Sequence, residues 1–547
     1  MSLSSSPYSL IMKRFWIVIF SLLLTQPFVA QIQNDFLNSN ISRVQLKSYL
    51  PVKTTKFHSA IQPYEFLDTS ATARIDTIFR TPVLSLVAEN NSQNFSINLE
   101  PILGILPDAV ETNSLGKYAK RGMFILGFKS LVNFKDKLHL RTSVFGGPPL
   151  NSNQLNSRVL RSISEVTFNN GLKYILNYNA ALTYTPSDIF AFQLGRGKNK
   201  FGDGIQSLLL SENAVNYPYA KIRTRVWDIE YINLFSAQKS LVKTERGALV
   251  VEDGPNELQY NNEYKRKFTS SHLLSWNINE AVNVYFFETI IWQNEDTLST
   301  RGFDINYLNP IIFFRPVEFA VGSSDNAIVG AGSSWKVNEK LQVYGQFVID
   351  EMIFKRFINR TGWWANKYGA QLGFKVFDPF KTKDTYFQME WNQVRPFTYS
   401  HGSPQQNYAH YNQPLAHPAG SNFYEFIALF VKDFNRFQLQ VSGNFLLKGD
   451  DIPANGVEPY QNLGGDIFRS YVDPFIDSGN VVGQGYTSNN INGQVNASYI
   501  FNEKSDGRIT LSYGINHRAG ESNEFTNNFI NLGLTMNFSS LNINSLQ

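Results

Sequence analysis

Residues Gly195 to Gly204 read GRGKNKFGDG: four glycines, one arginine and two lysines, running directly into IQSLLLSENA. Glycine-rich backbone beside cations suits an anion, and the first candidate is a phosphate cradle, in which backbone N–H groups converge at a helix start. The spelling departs from both nucleotide patterns. Gly197 and Gly202 have the separation of a P-loop, but Asp203 and Gly204 stand where Lys and Ser/Thr should follow. Lys200 occupies the place of the third glycine in the dinucleotide pattern.

A second cluster lies between residues 395 and 426. Three of the seven histidines, His401, His410 and His417, fall there with Ser403 and Asn407. Metal binding, general acid/base chemistry and a barrel-type lipid hydrolase built on Ser403 or His410 are all open, although neither G-x-S-x-G nor H-E-x-x-H occurs. Neutral imidazoles hydrogen-bonding within a loop, with Asn422 and Glu425, are the plainer alternative. A third is sugar recognition: Tyr399, Tyr408, Tyr411, Trp363 and Trp364 offer stacking faces, and Arg395, Asn407 and Gln413 offer groups for hydroxyls. An aromatic girdle at a membrane interface would account for the same Trp and Tyr without a ligand. Asp350 and Glu351 adjoin in VIDEMIF. Strict alternation sends them to opposite faces, which excludes a glycosidase pair facing one bond.

The elements that must position these residues follow from composition and period. Lys13 and Arg14 precede an apolar run from Phe15 to Leu24, with a cut expected after Ala30, so residues 1–30 read as a cleaved export signal; Met12 is an alternative start. The chain has no cysteine, which excludes disulfides, thiolate metal sites and a lipidated anchor. Beyond the signal no apolar run is long enough for a membrane helix. Aromatics nonetheless make up 14% of the chain, with 44 Phe and 26 Tyr. A formal charge of +4 over 547 residues gives no footprint for nucleic acid.

Alternation supplies the fold. In NYNAALTY the even positions Tyr178, Ala180, Leu182 and Tyr184 are apolar against Asn177, Asn179 and Thr183. The same period sets Leu341, Val343, Phe347 and Ile349 against Gln342, Gln346 and Asp350, and Phe387, Met389 and Trp391 against Gln388, Glu390 and Asn392. Phe437, Leu439, Val441 and Phe445 oppose Gln438, Gln440, Ser442 and Asn444. Near the end, Ile509, Leu511, Tyr513 and Ile515 share a face, as do Ile530, Leu532, Leu534, Met536 and Phe538. Runs of this length with an amide-rich wet face predict an all-β, transmembrane antiparallel barrel rather than a soluble sandwich, with roughly 16 to 18 strands for a chain of this size.

The expected organisation is a signal at 1–30, a periplasmic or lumenal segment at 31–95, the barrel at 96–538 and a tail at 539–547. TPSD (Thr185 to Asp188) and NEKSDG (Asn502 to Gly507) read as short periplasmic turns. Residues 239–262, 401–420 and 448–488 then face outside as solvated loops. The acids of the last match no calcium loop. The strand IFAFQLG rises from TPSD, so the glycine stretch caps a strand or folds into the lumen. Gly195, Gly197, Gly202 and Gly204 would permit a tight path there, with Arg196, Lys198, Asn199 and Lys200 facing water.

Three segments carry a family resemblance. FQLGRGKNKFGDGIQSLLLSENAVNYPY resembles the Wzi-type capsule-assembly outer-membrane proteins, in which a Gly-rich turn precedes SLLLS-N-A and a proline. GWWANKYGAQLGFK (Gly362 to Lys375) and RPFTYSHGSPQQNYAHYNQPLAHPAGSNFYEF (Arg395 to Phe426) resemble the Bacteroidetes branch that includes the gliding-motility protein RemB. The matches span roughly residues 170 to 430; Phe201 stands where these proteins often carry Trp. The resemblance implies 18 strands and a non-enzymatic role in the outer membrane, without cofactor or metal, holding surface polysaccharide or serving gliding-linked adhesion. The partners would be outer-membrane lipid, a surface glycan and gliding or adhesion machinery. The candidate glycan contacts are Arg196, Lys198, Lys200, Arg395, Tyr399, Tyr408, His410, Tyr411 and His417. A porin for oligosaccharides is the alternative, and an outer-membrane hydrolase a second.

Overall fold

The computed structural model describes residues 57–62, 86–90, 95–112, 117–135, 137–150, 165–169, 172–240, 265–294, 302–309, 325–411, 413–454, 460–502, 506–521 and 524–536. The expected signal, most of the 31–95 segment, the 241–264 part of the first long connection and the 539–547 tail lie outside these residues.

Eighteen antiparallel strands close on themselves. They are β1 Phe95–Thr112, β2 Lys117–Phe134, β3 Leu138–Gly147, β4 Leu172–Tyr184, β5 Phe190–Gly197 and β6 Tyr217–Val226. There follow β7 Ile229–Ser240, β8 Lys265–Asn277, β9 Val282–Gln293, β10 Asn326–Lys336, β11 Leu341–Glu351 and β12 Lys367–Phe377. The last six are β13 Thr385–Val394, β14 Phe423–Phe434, β15 Phe437–Asp450, β16 Tyr486–Asn502, β17 Gly507–Gly520 and β18 Phe525–Met536. Closure comes from β18 against β1, with Phe529 opposite Val110 and Met536 opposite Leu103. The ladder skips between Asn531/Asp108 and Leu534/Ile105, where Pro107 brings no N–H to donate. Leu86–Asn90 extends the sheet beside Phe95–Leu99.

Side-chain phase follows the alternation read from the sequence. Tyr178, Leu182 and Tyr184, Phe347, Met389, Phe437 and Phe445, Leu511 and Tyr513, Ile530 and Leu532 all project from the outer wall. A barrel in water could not leave such a band uncovered, whereas in hydrocarbon it is the favourable surface, and closing the sheet on itself leaves no open strand edge. Tyr184, Trp227, Trp276, Trp335, Phe434 and Phe501 ring the end where the connections are short, as an interfacial girdle requires. All the longer connections leave the opposite rim.

The inner wall is divided. From β7 to β13 its polar residues are buried and cross-linked: Ser236 to Thr269 at 2.6 Å, Ser271 to Thr289 at 2.7 Å, and Gln371 to Asn392 at 2.8 Å. Along β15 to β17, by contrast, Ser442, Asn444, Asn490, Asn492, Gln494, Asn496 and Asn516 are half-exposed. The difference arises because the loops fold inward against β7 to β13. Residues 401–420 and 448–488, expected as solvated outer loops, contribute Tyr408, Leu415, Ala416, Leu463 and Ile467 to the buried interior. Enough apolar side chains occur in them to form a core, and the lumen is the one place where that core escapes both water and lipid.

Candidate functional site

The plug is built on the 198–216 connection between β5 and β6. Its Lys200–Phe201 pairs with Ile61–Gln62 of the N-terminal strap, and Gly202 N–H donates to the Ala60 carbonyl at 2.7 Å. Gly202 has φ 133°, and a Cβ there would stand 1.9 Å from Gln346 Nε2, so only glycine permits this approach to the wall. Gln346 of β11 then clasps the turn at both ends: its Nε2 donates to the Phe201 carbonyl at 3.0 Å and its Oε1 accepts from Leu208 N–H at 2.8 Å.

Two successive N–H groups, of Ile205 and Gln206, donate to Glu390 of β13 at 2.6 and 3.0 Å. Tyr344 OH and Asn392 Nδ2 complete that carboxylate at 2.8 and 2.9 Å. The glycine stretch therefore does lead into converging N–H groups that hold an anion. The anion is a side chain of the barrel wall, and the chemistry is anchoring. Lys200, expected to face water, is buried and donates from Nζ to the Gly204 and Ile205 carbonyls at 2.7 and 3.1 Å. Lys198 donates to the Glu212 carbonyl at 2.8 Å. Arg196 lies on the outer face, its guanidinium 4.5 Å from the Tyr178 ring, because it shares the strand phase of Phe192 and Leu194.

The 395–422 connection folds over the first. Tyr399 donates from its hydroxyl to the Leu208 carbonyl at 2.7 Å, while its N–H donates to Asp350 Oδ2 at 2.8 Å. Ser211 N–H donates to the Leu415 carbonyl at 2.7 Å, and Val215 N–H to Gln413 Oε1 at 2.9 Å. On the wall side, Lys267 Nζ donates to both the carbonyl and the Oδ1 of Asn407 at 2.6 Å. Phe397, Tyr399, Tyr411 and Asn422 adopt φ between 51° and 73°, left-handed values that cost non-glycine residues of order 1 kcal/mol or more and persist only under many constraints. The third connection adds some of these: Phe397 N–H donates to the Gly464 carbonyl at 3.0 Å and Asn407 Nδ2 to the Ile467 carbonyl at 3.2 Å.

The candidate histidines are engaged separately. His410 accepts from Lys239 N–H at 3.0 Å and meets Tyr217 and Tyr411 edge-on. His417 stands 2.6 Å from Glu425 and stacks on Phe423. His401 accepts from the Ser403 N–H at 3.2 Å, while Ser403 Oγ donates to Gln293 at 3.2 Å. Among the described residues no group of three metal-ligating side chains occurs. Arg395 donates to the Trp363 and Asn480 carbonyls at 3.5 and 3.3 Å, tying three connections together. Tyr408 is buried against Tyr399. Of the proposed sugar contacts, Arg196, Lys198, Arg395 and Tyr411 keep accessible surface.

Asp350 and Glu351 differ from the alternation rule. A bulge between Ile349 and Glu351 breaks the register, and Lys367 Nζ lies 3.3 Å from Asp350 and 3.1 Å from Glu351. Both carboxylates thus serve one lysine. Sequence reasoning also missed Glu390 and Gln346 as the anchors of the plug; their only signal was a carboxylate and an amide in the wet phase of their strands.

Burial lowers the pKa of His58 and His401 to about 4 and of His410 to about 3. A loop released into water would titrate near 6.5, so the released state takes up protons first. The stabilisation is complete above about 6.5 and is lost as pH falls towards about 4. Acidification from pH 7 to 4.5 should therefore loosen the plug, read as faster limited proteolysis of 395–422, and His410→Gln should flatten that dependence. An unchanged proteolysis rate over this range would contradict it.

No family model and no curated protein matches the chain. Among solved structures, it is similar to Wzi of Escherichia coli, described as an outer-membrane protein involved in group 1 capsule assembly and a carbohydrate-binding β-barrel. That match has a TM-score of 0.53 at 10% identity and covers 92% of this chain and 99% of the other. OccAB4 of Acinetobacter baumannii matches with a TM-score of 0.43 at 10% identity over 82% and 99%, and OprD of Pseudomonas aeruginosa with 0.38 at 8% over 80% and 94%. At these identities the likeness is one of fold, that of an outer-membrane β-barrel.

Proposed function

We propose that this chain is a non-enzymatic outer-membrane barrel, exported by its N-terminal signal, that holds surface polysaccharide at its long-loop face. The observation that carries this reading is the plug: the strap and three inward-folded connections occupy the lumen along β7 to β13 and are bonded to its wall and to each other. The shared fold with a carbohydrate-binding barrel supports it. Tyr411, half-exposed with Lys239 Nζ 5.5 Å from its ring centre, offers a sugar-stacking face beside a cation, with Lys198 and Arg395 as further cations. The three resembling segments add gliding-linked adhesion as the finer form of the role, to be scored in a deletion strain as surface spreading alongside capsule retention.

The half-exposed amides along β15 to β17 favour a second reading, a narrow polar conduit for oligosaccharides. Planar-bilayer recording combined with glycan binding separates the two. The scaffold reading expects small conductance, together with retention of an acidic surface polysaccharide that falls as salt rises. Tyr411→Ala with Lys198→Gln should weaken that retention while leaving the barrel heat-modifiable on gels. Large ohmic currents with no glycan retention would sink the scaffold and support the porin.

A further inference from the structure

Between β11 and β12 the chain makes a short helix, α1 Phe354–Ile358, at the long-loop rim. Its apolar side chains are not turned inward. Ile353, Phe354, Phe357 and Ile358 are exposed, Phe354 by 66% and Ile358 by 61%. They continue the outer wall: Phe347 of β11 lies 5.9 Å from the Tyr368 ring of β12, Phe357 meets Tyr368 edge-on at 5.5 Å, and Phe354 stacks on Phe357 at 6.3 Å. Phe347 and Tyr368 belong to the outward phase of their strands, so this row of rings runs from the lipid-facing wall up onto the helix.

The same segment carries Lys355, Arg356 and Arg360 and has no acidic residue between Met352 and Asn366. Among the described residues none of the three makes an ion pair; Arg356 lies 4.4 Å over the Trp363 ring. The helix is held in place from behind. Asn366 Oδ1 accepts from Ile353 N–H at 2.8 Å, and the Thr361 and Gly362 carbonyls accept from Gly479 and Asn480 N–H at 2.9 and 2.8 Å. Apolar rings continuous with a lipid-facing wall, capped by exposed cations on a braced support, are the features of an interfacial element.

The geometry points to a lipid-binding site: α1 lies in the membrane interface and Lys355, Arg356 and Arg360 grip the phosphates of glycolipid headgroups in the leaflet that meets the long-loop rim. The phosphate supplies the charge these cations lack, and the acyl chains cover Phe354 and Ile358. This site is on the outer wall and is independent of glycan binding over the plug.

The test uses the full barrel in nanodiscs of phosphatidylcholine with or without bisphosphorylated lipid A. Wild type should retain lipid A through purification. K355Q/R356Q/R360Q should bind it at least roughly fivefold more weakly, since even one cation at an anionic surface is worth about that factor, and the difference should shrink as salt rises. Equal retention by the two proteins overturns the proposal, as does displacement of the lipid by inorganic phosphate at matched concentration. The cysteine-free chain allows a second measurement that needs no charge variant. A nitroxide on Ile358→Cys should collide more with oxygen than with a water-soluble nickel complex; the reverse order would place α1 in water and overturn the site.

Discussion

Glu390→Ala should release the plug while leaving the barrel closed. The carboxylate accepts from the N–H groups of Ile205 and Gln206 and from Tyr344 and Asn392, and it is buried. Removing it orphans two backbone donors, each costing about 1–3 kcal/mol when left unsatisfied away from water. That is comparable to what holds a surface loop in place, but small against a ladder whose every strand is paired on both sides. The expected result is faster proteolysis of 198–216 and a raised single-channel conductance, with heat-modifiable mobility on gels retained. Glu390→Gln should be milder, because one amide oxygen can still accept while its NH₂ faces the second donor. Tyr344→Phe should be milder again, since it removes one neutral donor. Proteolysis and conductance unchanged in Glu390→Ala would mean that the 198–216 segment is held by its other contacts alone.

Leu532→Arg should be far more damaging than Asn531→Arg. Leu532 lies in β18 opposite Leu511 of β17, on the lipid-facing side and 54% exposed there. An arginine on that face costs about 2–4 kcal/mol near the bilayer midplane, a large share of the 5–15 kcal/mol of a typical domain. Asn531 faces the lumen, opposite Ser512, where a guanidinium can reach water and amides. The measurement is the folded fraction of each variant in lipid across a urea titration, scored by heat-modifiable mobility. Equal midpoints would show that β18 does not lie in the hydrocarbon with this register.

The sequence by itself determined the class of fold and the lipid-facing side of those strands whose alternation it spells out. A two-residue period is a local property, so Tyr178, Leu182, Met389, Leu511 and Leu532 could be assigned to lipid, and Gln346, Glu390 and Asn444 to the lumen, without knowing which strands pair. The turns at Thr185 to Asp188 and Asn502 to Gly507 were legible because turn chemistry is local too. The girdle tryptophans Trp227, Trp276 and Trp335 were not, and Trp363 and Trp364, for which a girdle was the alternative to a ligand, lie at the opposite rim. Arg196 is a correction: its charge suggested water, but it takes the outward phase of Phe192 and Leu194 and lies over the Tyr178 ring. What tertiary structure alone decided is where the long connections go. A loop rich in Gly, Ser, Asn and Tyr reads as solvated, and nothing local says that Leu208, Tyr408 or Leu415 will be buried. Their destination depends on contacts such as Gln206 N–H to Glu390, 184 residues apart. The bulge at Ile349/Glu351 that lets Asp350 and Glu351 share Lys367 is likewise a consequence of pairing with β12. Whether a buried amide or carboxylate in a barrel strand meets water or the backbone of a distant loop is set by what fills the lumen, and that is a property of the closed ring of strands, not of any one of them.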